Sequence, residues 1–147
     1  MPTLRHLAEE CSELQLRFVE RHGALRAATE VRSLVTVGQD ELLAVRSDFS
    51  HSAGALVVLR ITEPALEGAT ASAVDRMLCD LAQHKAAGLV VAVASHGPRV
   101  CPAATRSFAG RMGVPLLTTT AEPAAWEGVK DGIRACRARA GTAKPSG

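Results

Sequence analysis

Residues Leu89 to Ala94 read Leu-Val-Val-Ala-Val-Ala, with no polar position on either side of the run. A strand that is apolar on both faces has to be covered on both, and such strands belong to parallel sheets roofed by helices. Ala55 to Ile61 (Ala-Leu-Val-Val-Leu-Arg-Ile) has the same character and ends before Glu63-Pro64. Val114-Pro115-Leu116-Leu117-Thr118 gives a third short strand, with proline at its start, where no interior ladder bond is lost.

Between these runs the period changes from two to 3.6. Ser72 to Lys85 places Val74, Met77, Leu78, Leu81 and Ala82 on one helical stripe. Ser72 and Asp75 have capping-box spacing at its start, and Gly88 suits its end. A second helix is expected from Pro102 to Met112, with Phe108, Ala109 and Met112 inward and Gly113 as its stop. A third begins near Pro123 and carries Trp126, Val129, Ile133 and Cys136 on its inner face. Its basic residues Lys130, Arg134, Arg137 and Arg139 are expected on the remaining faces and suit the negative end of the helix dipole. The order β-α-β-α-β-α over residues 55 to 139 implies an α/β fold: one domain, a mainly parallel β-sheet, right-handed βαβ crossovers, helices packed on the sheet.

The first third is less periodic. Leu4 to Cys11 reads as a short helix, Leu14 to Val19 as a strand, and Val31 to Val37 as a further strand before a helical turn at Asp40 to Val45. Residues 1–140 are assigned to the domain and 141–147 to a flexible tail or the start of a linker. A chain of 147 residues buries enough surface to need no disulfide or metal for its core.

Composition narrows the function classes. No apolar run is long enough to cross a bilayer, and the charged start is not a signal peptide, so a cytoplasmic location and no membrane partner are expected. With three Phe, one Trp and no Tyr there is little to stack bases on, and a net charge of +2 does not suggest a polyanion. No direct nucleic-acid contact by this chain is expected. The four cysteines, Cys11, Cys79, Cys101 and Cys136, form no CxxC unit and are expected as free thiols, with Cys79 and Cys136 buried on helical faces. The five histidines show no ligand spacing, so no metal is expected, and no cofactor fingerprint is present.

Ligands of open parallel sheets gather outside the carboxyl ends of the strands. The loops at Thr62-Glu63, Ser95 to Cys101 and Thr118 to Glu122 meet there. Arg60, Ser95, His96, Arg99 and Thr118 are the candidate ligand-binding residues, suited to a small polar or anionic metabolite, and Thr119 and Thr120 add hydroxyls. The same loops are polar in any α/β domain, so a purely connecting role is the competing reading. Cys101 lies five residues from His96, which raises a thiol nucleophile. No third orienting group accompanies the pair, and no catalytic residue is assigned.

The chain resembles the N-terminal sensing domain of purine catabolism regulators, the PucR-type transcriptional regulators. The likeness runs through Thr3-Leu4-Arg5-His6-Leu7, Leu14 to Val19 and Ser52 to Leu59. It is densest in Ala87-Gly88-Leu89-Val90-Val91-Ala92, Pro102-Ala103-Ala104 and Met112-Gly113-Val114-Pro115-Leu116-Leu117. It departs at Arg60-Ile61-Thr62, where members carry Thr-Thr-Gly. The resemblance implies a non-catalytic domain that senses a small effector, is associated with transcription regulation and passes its signal through an interface to a regulatory protein partner. A homodimer is expected on separate grounds, from an apolar content that leaves few ways to hide both sheet faces and the helix backs. The DNA-reading part of such regulators is not in this sequence. Two other readings stand beside it: a dimerisation or scaffold module without ligand, and a small enzyme using the His96/Cys101 loop.

Overall fold

The computed structural model describes residues 3–10, 14–19, 29–40, 53–62, 66–93, 100–121 and 123–142. In chain order the elements are α1 (Leu4–Glu10), β1 (Arg17–Phe18), β2 (Ser33–Gly38), β3 (Ala55–Arg60), α2 (Gly68–Gln83), β4 (Gly88–Ala92), α3 (Ala103–Met112), β5 (Leu116–Thr119) and α4 (Pro123–Thr142). The strands form one five-stranded sheet in the order β1-β5-β4-β3-β2. All pairs are parallel except β1 with β5. The expected single α/β domain with a mainly parallel sheet is what the chain forms.

Side-chain alternation divides the core into two. Val57 and Leu59 of β3, Leu89 and Val91 of β4 and Leu116 of β5 pack with Val74, Met77, Leu78 and Leu81 of α2 and Ala109 of α3. Their neighbours Leu56, Val58, Val90 and Leu117 point the other way, onto Leu4 and Leu7 of α1 and Trp126 and Ile133 of α4. Helices α2 and α3 therefore roof one face, and α1 and α4 the other. Because both faces are covered from within the chain, the apolar surface expected to drive dimerisation is small among the described residues. Among the described residues only Val35 (37% exposed) and Met112 (38%) are large apolar side chains in solvent.

Several local expectations are corrected. Helix α2 begins at Gly68, with Glu67 as its N-cap, so Ser72 and Asp75 lie inside the helix and form no capping box. Its end is set by Lys85, which takes a left-handed φ of 57°. Ala86 N–H then reaches Leu81 O at 2.9 Å and Lys85 N–H reaches Ala82 O at 3.3 Å, the paired bonds of a Schellman ending. Gly88 serves a different purpose at the start of β4. A Cβ there would lie 3.0 Å from the carbonyl oxygen of Pro115, which accepts from Leu89 N–H at 2.9 Å.

Helix α3 ends as expected at Gly113, φ 74°. Its buried residues are Thr105 and Ala109, whereas Met112 is exposed, since that last turn runs past the edge of the α2 contact. Cys79 is also exposed. It follows Leu78 by one residue, about 100° around the helix from the buried stripe. The segment Leu14 to Val19 supplies only the two-residue β1, although Leu14 and Leu16 are buried. Helix α4 runs to Thr142, beyond the expected start of the tail. The side chain of Cys136 and the turn beyond Asp40 lie outside the described residues.

Candidate functional site

At the carboxyl edge of the sheet the described connections lead to both faces. The connection after β4 leads to α3 on one face, and the connection after β5 leads to α4 on the other. Diverging connections leave a crevice between neighbouring strand ends, the position where open α/β sheets hold ligands. A cleft of about 110 Å³ opens beside that divergence, between α4 and the ends of β2, β3 and β4. Its floor is Thr36 of β2, Val58 and Arg60 of β3 and Ala92 of β4. These residues share a face because Thr36 pairs with Val58, and Arg60 with Ala92, in the parallel register. Its roof is Ala121, Trp126, Glu127 and Lys130.

Trp126 and Ile133 fix the inner stripe of α4, and Lys130, four residues after Trp126, shares that stripe. Its side chain is 23% exposed, and its Nζ lies 3.5 Å from Glu127, whose own side chain is 68% exposed. An ion pair this open contributes at most about 1 kcal/mol. Arg60 has no carboxylate partner among the described residues. Trp126 is 3% exposed, and its indole N–H has no hydrogen-bond partner. A buried donor without a partner costs about 1–3 kcal/mol, so this one is an unfilled demand for an acceptor. Asp75 Oδ1 and Arg106 Nε are also without partners, but neither residue lines the cleft.

Of the residues expected at a site, Arg60 is in the cleft. Thr118 is buried on the opposite face, because it follows Leu116 by two along β5. Ser95, His96 and Arg99 lie outside the described residues. Thr119 and Thr120 are engaged in the fold: Thr119 Oγ1 donates to Leu14 O and accepts from Ala121 N–H at 3.0 Å, and Thr120 Oγ1 bonds Gln15 Oε1. On the α2 side, Gln39 Oε1 accepts from Thr62 N–H at 2.9 Å and Thr62 Oγ1 at 3.0 Å, and its Nε2 reaches Thr70 Oγ1 at 3.4 Å. That network ties the ends of β2 and β3 to the start of α2. Thr36, Trp126, Glu127 and Lys130 were not expected at a site. The signal available was a lysine placed on an inward stripe.

Cys101 does not have the properties of a nucleophile. It is 2% exposed, and burial pushes its thiol up to about 11, with the nearby Arg106 charge pulling it down only in part. The protonated thiol is the form present at neutral pH, with roughly 100-fold less thiolate than an ordinary cysteine offers. Peptide-level alkylation is expected to label exposed Cys79 readily at pH 7 and Cys101 only as the pH rises toward 11. Equal labelling of the two at pH 7 would restore the nucleophile. Among the described residues no group of three His, Cys, Asp or Glu is placed to hold a metal ion, and no helix is long and apolar enough to cross a membrane. Comparison of the chain with family models, with curated proteins and with solved structures found no match.

Proposed function

We propose that the chain is a non-catalytic effector-sensing domain that holds a small polar or anionic metabolite between α4 and the carboxyl ends of β2, β3 and β4. The observation that carries this reading is the cleft itself, in which two cations, Arg60 and Lys130, line a space walled by Trp126. The buried indole N–H of Trp126 has no hydrogen-bond partner. The raised thiol of Cys101 speaks against the alternative of a small enzyme built on that cysteine. The association with transcription regulation rests on the resemblance to purine catabolism regulators.

Ligand occupancy in this cleft would act on α4, the element that closes it, and α4 is the natural route of a signal to a partner. A homodimer belongs to the proposal through β2, the sheet edge with no further strand among the described residues and with Val35 exposed. The test is a thermal-shift screen with purines, their degradation products and small carboxylates, followed by sedimentation of the free and ligand-bound chain. A ligand that binds the folded state raises the midpoint by mass action, about 2.7 kcal/mol at 100 times Kd. A screen in which no compound moves the midpoint would transfer the weight to the scaffold reading, which the small volume of the cleft favours. A chain that sediments as a monomer with and without ligand would remove the dimer.

A further inference from the structure

We infer that the cleft is a carboxylate site, selective for a short-chain organic acid over neutral bases and phosphate esters. This inference rests on the sensing reading and names its ligand class. Charge gives the sign, since among the described residues Arg60 and Lys130 line the cleft against one carboxylate, that of Glu127, which already leans on Lys130. The donor set gives the chemistry. A guanidinium, an ammonium and an indole N–H can only donate, and Thr36 can do either. A ligand that satisfies them must be rich in acceptors, and a carboxylate offers two oxygens with about four lone-pair sites matched to the arginine fork.

The walls select within the anions. Val58, Ala92 and Ala121 present methyl groups, suited to a carbon skeleton rather than to the outer oxygens of a phosphate. Among the described residues the lining contains no glycine and no Gly-rich turn of the kind that cradles phosphates by its backbone N–H groups. Size selects again. A volume of about 110 Å³ is well under the roughly 300–1,000 Å³ of drug-sized ligand pockets, which leaves room for a small acid and not for a nucleotide. Trp126 combines two observations at one place: it forms a wall of the cleft, and its buried N–H lacks an acceptor.

The chain supplies its own reporter, because Trp126 is its only tryptophan and it has no tyrosine. Tryptophan emission is to be followed while the full chain is titrated with butyrate, lactate and succinate, each against its neutral amide, and with inorganic phosphate, a nucleoside monophosphate and neutral purine bases. The expected result is a saturable change with at least one acid, none with its amide, and a Kd raised roughly tenfold or more by Arg60→Gln or Lys130→Gln. Trp126→Phe removes the reporter, so its binding is read by thermal shift, where the midpoint increase given by the acid should be lost. A neutral base or phosphate that saturates the signal while every acid fails would overturn the carboxylate assignment and leave the sensing reading standing. An unchanged Kd in both Arg60→Gln and Lys130→Gln would overturn it as well. Failure of every compound by both emission and thermal shift would overturn both.

Discussion

Replacing Leu59 by alanine is expected to remove roughly 2–5 kcal/mol of folding stability, the range for a leucine truncated in a packed core. Leu59 is fully buried in β3 and paired in register with Val37 on one side and Val91 on the other. All three point to the face covered by α2. Few neighbours there can move inward, because the strands are fixed by the ladder and the helix by Leu78 and Leu81 on the same stripe. The cavity therefore stays open and the upper part of the range applies. A domain has about 5–15 kcal/mol in total, so the urea midpoint should fall steeply while the slope of the transition stays the same. Ser72→Ala is the control. It truncates an exposed side chain on α2 and should stay within about 0.5 kcal/mol of the parent. Equal losses at the two positions would mean that β3 is not a buried interior strand of the sheet.

The same strands show why part of the fold was readable. Leu89 to Val91 and Ala55 to Leu59 carry their message in every residue, because a strand buried on both faces tolerates no polar position. Gly113 is readable for a local reason as well, the left-handed φ at a helix end. Failures came where distant parts of the chain decide. Leu14 and Leu16 are both buried, but Gln15 between them has a φ of 47°, which breaks the strand period. The two residues that do form β1 are held by pairing with Leu117 and Thr118, a hundred or so positions later. Lys85 takes a conformation that favours glycine, while nearby Gly88 is needed for close approach of the Pro115 carbonyl. A glycine in the sequence does not state which of these tasks it performs.

The site was legible to the extent that it depends on strand ends. Arg60 is the last residue of β3, and the rule that ligands gather at carboxyl ends is enough to find it. Lys130 and Trp126 follow a different logic. Each has an adequate explanation from its own helix, one as a cation in a basic helix and the other as a core aromatic. Only the crossing of α4 to the face opposite α2 and α3 brings them over Arg60, and no local pattern encodes that crossing. Thr118 failed to join them by one position in the alternation of β5, since Leu117 and Thr119 face α4 and Thr118 does not.

Trp126→Ala should cost about 3–5 kcal/mol, the range for an aromatic truncated in a core, because Trp126 packs in the cluster with Leu117, Val90 and Ile133. Trp126→Phe is the more informative change. It keeps most of the apolar ring and deletes the N–H that has no partner, whose burial costs about 1–3 kcal/mol. The smaller ring leaves a small void of comparable cost, so the free protein is expected to lie within about 1 kcal/mol of the parent in a urea titration. A loss as large as that of Trp126→Ala would mean that the indole N–H already finds an acceptor in solution, and the cleft would then have no unmet donor. In a tryptophan that only fills the core, truncation to phenylalanine lowers free and ligand-bound stability by the same amount. In a tryptophan that waits for an acceptor, the free protein loses nothing and the ligand's increment, RT ln(1 + [L]/Kd), collapses as Kd rises. The difference between the two thermal shifts, with and without the acid, therefore separates a core residue from a binding residue at the same position.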